Sequence, residues 1–154
     1  MTQLYGEYEC KLDPKGRLKI PSQLLKQLGG VAPHTFFLNH GFEKNIVLYP
    51  QPVWEKIVEK IGQLNYYNTR ERHFLRHFFR GVRDVSTDSA DRILLGKGHQ
   101  EYAGIKSDVV LFAFVNKVEI WDRDTYYEKL DEYPEGYTDL ANQIIGSADF
   151  DLKL

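Results

Sequence analysis

Two short segments of this 154-residue sequence pair an aspartate with an arginine four residues later: Asp13 with Arg17, and Asp88 with Arg92. An Asp at the head of a tight turn accepts hydrogen bonds from backbone N–H groups just downstream. The Arg that follows presents a planar fork of donors, which matches guanine O6 and N7 or clamps a phosphate. Asp13 and Asp88 carry the wrong sign to face phosphate. Their expected role is to support the turn and hold each Arg in its working rotamer. Lys11, Lys15 and Lys19 surround the first turn and are expected to meet backbone phosphates. The chemistry these residues suggest is recognition of double-stranded DNA by Arg17 and Arg92.

The elements that must position them are written twice. Residues 13–20 align with residues 88–95 at an offset of 75, and Leu28-Gly29 meets Ala103-Gly104 at the same offset. Residues 46–49 meet 118–121 at an offset of 72, so the second copy is slightly shorter near its hairpin. In copy one, Tyr8, Cys10 and Leu12 alternate with Glu7, Glu9 and Lys11, the period of a half-buried strand. Asp13-Pro14-Lys15-Gly16 has turn chemistry, with Gly16 at the fourth position. Residues 17–20 resume the alternation. Pro21 suits the start of a short helix bearing Leu24, Leu25 and Leu28, which Gly29-Gly30 ends. Residues 35–38 and 45–49 form a hairpin around His40-Gly41.

Copy two repeats the plan. Strands are predicted at 82–85 and 92–95, a short helix ending near Gly104, and a hairpin of 109–115 with 117–121 turning near Asn116. Asp91 stands where copy one has Gly16, and Gly96 where it has Pro21. The second turn survives only if Asp tolerates any positive φ required there, and Gly96-Lys97-Gly98 weakens the helix that follows. Copy one is therefore the expected stronger DNA reader. Between the copies, Val53, Trp54, Ile57, Val58, Ile61 and Leu64 make an amphipathic stripe. A second helix over 69–80 has Phe74, Leu75, Phe78 and Phe79 on one face and Arg72, Arg76 and Arg80 on the other. Short helices are predicted around Tyr126, Tyr127 and Leu130 and over 138–145, with 150–154 as a loose tail. A unit of about 45 residues is too small to bury a good core alone, and two can share one.

Composition is that of a globular chain, 42% hydrophobic and 27% charged. Net charge is −2, but the residues from Asp122 onward carry −6, which leaves +4 on the first 121. A moderately basic body thus precedes an acidic C-terminal region, and local fields govern DNA affinity. The single Cys10 allows no intramolecular disulfide and no cysteine zinc site. The longest apolar run has seven residues, against about 20 for a membrane helix. No secretory signal is visible, so the expected location is cytoplasmic.

The residues at 13–21, the partner turn at 88–92, Glu101-Tyr-Ala-Gly104 and Glu119-Ile-Trp121-Asp122 together resemble the MraZ family over residues 5–130. The resemblance implies an α+β, β-rich fold of two tandem AbrB-like swapped-hairpin units forming one pseudo-twofold barrel with flanking helices. The expected segments are repeat one at 5–52, connecting helices at 53–80, repeat two at 81–124, and C-terminal helices with an acidic tail at 125–154. It also implies a nucleoid-associated transcriptional regulator of the division and cell-wall gene cluster. Its partners would be duplex DNA carrying repeated upstream boxes and further copies of itself, in a ring of eight as the first expectation. No membrane, small-molecule substrate, metal or other cofactor enters that picture.

Other features read as structural. An isolated Asp–Arg pair is usually a surface ion pair of little energy; repetition at one structural position is what singles these out. The Arg72, Arg76, Arg80 stripe suits a solvated face. His73 and His77 have helix metal-ligand spacing, but Phe74 stands where the metalloprotease pattern requires Glu. Trp54 and Trp121 are expected in the core or an interface, and Cys10 as inert packing. An enzyme is disfavoured, with no nucleophile motif and no metal cluster; Asp13 and Asp88 could form a catalytic pair only by meeting across the pseudo-twofold axis. A protein-interaction or antitoxin-like module is the second reading.

Overall fold

The computed structural model describes residues 3–133 and 136–147. The expected tail at 150–154 lies outside the described residues. The chain divides into two compact units, Met1–Arg123 and Asp124–Leu154. Copy one comprises β1 (Leu4–Lys11), β2 (Arg17–Lys19), α1 (Ser22–Leu28), β3 (Thr35–His40) and β4 (Ile46–Pro50). Helices α2 (Gln51–Ile61) and α3 (Thr69–Phe79) follow. Copy two comprises β5 (Arg83–Ser86), β6 (Arg92–Leu94), α4 (Lys97–Ala103), β7 (Asp108–Val115) and β8 (Lys117–Asp122). The second unit holds most of α5 (Arg123–Leu130) and all of α6 (Gly136–Ile145), which buries none of its described side chains.

The repeats interleave. Six antiparallel strands run in the order β1-β7-β8-β4-β3-β5, and β2 pairs with β6 in a separate ribbon. Exchanging the copies turns the six-strand order into its own reverse, which is the mark of a pseudo-twofold. The axis passes through two cross-strand pairs of equivalent residues, Leu18 opposite Ile93 and Val47 opposite Glu119. The edge strands of the sheet continue through the Asp–Arg turns into the ribbon, since the N–H of Asp13 donates to Arg17 O and that of Asp88 to Arg92 O, each at 2.9 Å. The ribbon thereby bridges the two sheet edges into one barrel-like layer.

Alternation decides what the layer encloses. Along β1 the outward residues Glu7, Glu9 and Lys11 are exposed while Leu4 is buried. Leu18, Ile20, Ile93 and Leu95 from the ribbon join Leu38, Ile46, Leu48, Leu111 and Ile120 from the sheet in one core. On the outer face of β3 and β4, Trp54 from α2 packs among Phe37, Tyr49, Phe78 and Phe79, with ring centroids 5.4–6.2 Å apart. The stripe of α2 is only partly used, with Val53 and Trp54 its buried members. Helix α3 buries no residue fully, and Phe74 stays exposed.

Helix α4 is as long as α1, seven residues each, despite Gly96-Lys97-Gly98. It is anchored by buried His99 and Ala103 and stopped by Gly104 in the left-handed conformation, which offsets the poor helix propensity of its first turn. The two corners where sheet meets short helix are filled differently. A Cβ on Gly6 would strike the Tyr8 ring; a Cβ on the equivalent Gly81 would strike the His40 ring at 2.7 Å. Copy one thus takes its ring from β1, and copy two from β3.

That substitution carries a pH response. His40 stacks on Tyr102 at 3.9 Å, with His99 edge-on at 5.5 Å. Burial, then the fields of His99, Arg80 and Arg83, hold its pKa below the ordinary 6.5. The unfolded chain therefore binds a proton at this site more readily, so stability is full above pH 6.5 and falls as pH drops through 6.5 toward the folded pKa. We expect a lower urea midpoint at about pH 5.5 than at about pH 7.5, with His40→Phe flattening that difference. An undiminished difference in the variant would place the response elsewhere.

Candidate nucleic-acid interface

The two turns are the same object built twice. Asp13 Oδ1 accepts from the backbone N–H of Lys15 at 2.9 Å and of Arg17 at 2.8 Å, and Oδ2 accepts from Arg17 Nε at 2.7 Å. Asp88 Oδ1 accepts from Ala90 and Arg92 N–H groups, and Oδ2 from Arg92 Nε, all at 2.9 Å. The Gly16 N–H closes the first turn on Asp13 O at 2.9 Å, and the Asp91 N–H closes the second on Asp88 O at 3.0 Å. These hydrogen bonds hold both carboxyl groups below the usual carboxylate range, led in each case by the backbone N–H of the paired Arg. A catalytic carboxylate pair would raise one member instead. Each aspartate is engaged by its own turn.

What this leaves for a ligand is the guanidinium edge. Both arginines are tethered through Nε alone, and their terminal nitrogens bond no other described residue. Each side chain is about one-third exposed, 34% and 33%. At such exposure the ion pair adds little stability; its effect is to fix the direction of the fork.

The turns also lock each other. The Ile20 N–H donates to Asp91 O at 2.9 Å, and the Leu95 N–H to Gly16 O at 2.7 Å. Register sets Arg17 opposite Leu94 and Lys19 opposite Arg92. Arg17, Lys19, Arg92 and Leu94 thus share the outer face of the ribbon, with Leu18 and Ile93 buried beneath. Lys15 lies in the first turn and is exposed. Lys11 stands apart on β1, opposite Asp108, with a 3.8 Å ion pair to it.

Positive φ is required at the fourth turn position in both copies: Gly16 has φ 82° and Asp91 φ 61°. A Cβ on Gly16 would also stand 2.8 Å from Leu95 O. Gly16→Ala is expected to cost about 1–3 kcal/mol, whereas Asp91→Gly should hold or raise stability. Chemical denaturation of the two variants checks this, and equal loss in both would refute the backbone account. The copies differ most in charge. Lys11, Lys15 and Lys19 of copy one are matched by Ser86, Ala90 and Leu94, and Gly16 by the acidic Asp91.

The other sequence features fall outside the ribbon. Arg72 donates to Tyr66 O at 3.2 Å and lies over the Tyr66 ring. Arg80 and Arg83 line a groove of about 830 Å³ between β5 and α4, with His40 and His99, which the sequence did not single out. His73 and His77 touch edge to face at 4.6 Å, and among the described residues no group of three or more side chains is placed to hold a metal ion. Trp121 is buried, with its indole N–H on Glu119 at 2.9 Å. Cys10 is half-buried, its thiol pKa pushed up by burial. No described helix is long and apolar enough to cross a membrane.

Interleaved repeats, a pseudo-twofold through a two-stranded ribbon and twin Asp–Arg turns define an α+β tandem-repeat protein whose hairpins are swapped between its two copies. A family model described as "MraZ protein, putative antitoxin-like" matches residues 4–77 and 78–142. The chain belongs to the MraZ family. A relative from Christiangramia forsetii, named "Transcriptional regulator MraZ", is 38% identical over 98% of both chains. Relatives of the same name come from Flavobacterium psychrophilum, 36% identical over 98% of this chain and 97% of the relative, and Cytophaga hutchinsonii, 35% identical over 91% and 93%.

Proposed function

We propose that this protein is a transcriptional regulator that binds double-stranded DNA through the outer face of its β2–β6 ribbon. The observation that carries the reading is the pair of turns built on the same hydrogen bonds, each presenting an Arg fork tethered through Nε whose terminal nitrogens bond no other described residue. Arg17 and Arg92 are the principal contacts, Lys15 and Lys19 meet phosphates beside Arg17, and Lys11 reaches the flanking backbone. Asp13, Gly16 and Asp88 hold the turns. The relatives' shared name supports the regulatory role. The chemistry needed is binding, without a catalytic step.

One chain offers few contacts. A homo-oligomeric ring, eight copies as the first expectation, would array the turns against repeated upstream boxes and gain affinity by avidity. The targets the family resemblance suggests are the division and cell-wall genes, in the cytoplasm at the nucleoid. A protein-interaction role is favoured by the apolar side chains that α3 and α6 leave exposed, Phe74, Tyr137 and Ile144 among them. Fluorescence anisotropy separates the two. Labelled upstream DNA with repeated boxes should bind more tightly than scrambled DNA and weaken with added salt. Equal affinity for both would sink sequence-specific binding and leave the interaction role.

A further inference from the structure

The outer face of the ribbon carries three cationic side chains and one apolar one. The repeat relates Arg17 to Arg92 and Lys19 to Leu94. Leu94 is 58% exposed while its neighbour Ile93 is fully buried, so strand alternation turns it outward with the arginines. It stands directly across the ribbon from Arg17. Its Cδ1 lies 3.8 Å from where a Cβ on Gly16 would be. Leu94 therefore belongs spatially to the first turn, although its residue number belongs to the second copy. The core does not need it, since Leu18, Ile20, Ile93 and Leu95 supply the ribbon's buried side.

We infer that Leu94 reads sequence, taking the C5-methyl of a thymine next to the group held by Arg17. The inference rests on the DNA-binding reading above. A two-stranded β-ribbon fits the major groove, where thymine presents a methyl group that the other three bases lack. An exposed leucine beside an Arg fork offers that methyl an apolar surface, whereas water is the alternative partner for both. At the equivalent place Lys19 offers an ammonium, suited to phosphate or guanine. The two halves of the face therefore recognise unlike chemistry. The box read by one chain is asymmetric, with thymine preferred on the Leu94 side only, even though the backbone presenting it is close to twofold symmetric.

The test removes only the methyl. The full chain selects its preferred duplex from a randomised pool, and each thymine of that duplex is replaced in turn by deoxyuridine. One replacement is expected to weaken wild-type binding about fourfold, the value of one buried methyl-sized group. Leu94→Ala should bind the thymine and uracil duplexes alike. Leu94→Lys should recover affinity through charge without recovering the discrimination, and should select a more symmetric box. A wild-type chain indifferent to every replacement, or a Leu94→Ala variant that keeps the discrimination, overturns the inference and leaves the DNA-binding reading standing. If no duplex is selected at all, both fall.

Discussion

Arg17→Ala is expected to weaken binding of the box-containing duplex by about 10- to 100-fold, the range for losing one bidentate contact. The side chain is tethered to Asp13 by its Nε, with Lys15 in its own turn and Lys19 two residues along the same outward face, so its fork is both aimed and set in a positive field. Arg92→Ala should cost less. Its fork has the same tether and Lys19 stands across the ribbon from it, but its own turn carries Ala90 and the acidic Asp91 where the first turn has Lys15 and Gly16. The salt dependence tells what Arg17 touches. A uniform loss across sequences, with about one fewer counterion released, marks a phosphate contact; a loss confined to one base marks direct readout. The fold should be unharmed, since Asp13 still accepts from the Lys15 and Arg17 N–H groups. An Arg17→Ala chain that binds within about twofold of wild type would remove the turn from the interface.

The largest effect on stability is expected at the pseudo-twofold axis itself. Leu18 has no exposed surface and faces Ile93, equally buried, across the ribbon. Leu18→Ala removes core contacts and leaves a cavity that the surrounding strands cannot close, at a cost of about 2–5 kcal/mol. Against a total of about 5–15 kcal/mol for an ordinary domain, that is a large share. Both turns should loosen together, because Ile20 and Leu95, on either side of this pair, form the backbone bonds that tie each turn to the other strand. Leu94→Ala, one residue beyond Ile93 but outward, should change stability by no more than about 0.5 kcal/mol. Urea midpoints at unchanged slope measure both. A Leu18→Ala cost below about 1 kcal/mol would mean that the ribbon is not part of the common core.

Local features were legible in the residues because their causes are local. A period of two marked β1, and Asp13-Pro14-Lys15-Gly16 marked a turn whose fourth residue does sit at positive φ. Asp91 could stand in for that glycine because a short polar side chain tolerates the same region. Pro21 and Gly29 bracketed α1 at its observed ends. The stripes of α2 and α3 foretold helices, but not how little of each is buried, since that depends on which surface meets them.

The sequence by itself determined the two Asp–Arg turns and the duplicated order of elements around them. Each turn is closed by hydrogen bonds within five consecutive residues, so its chemistry can be read in place. Only the tertiary structure decided that the copies interleave, that Lys11 is drawn to Asp108, and that Leu94 stands beside Arg17, 77 positions away in the chain. Those outcomes rest on pairing between distant strands. Alternation states which side of a strand faces inward, while the shared core selects which strand lies next to it.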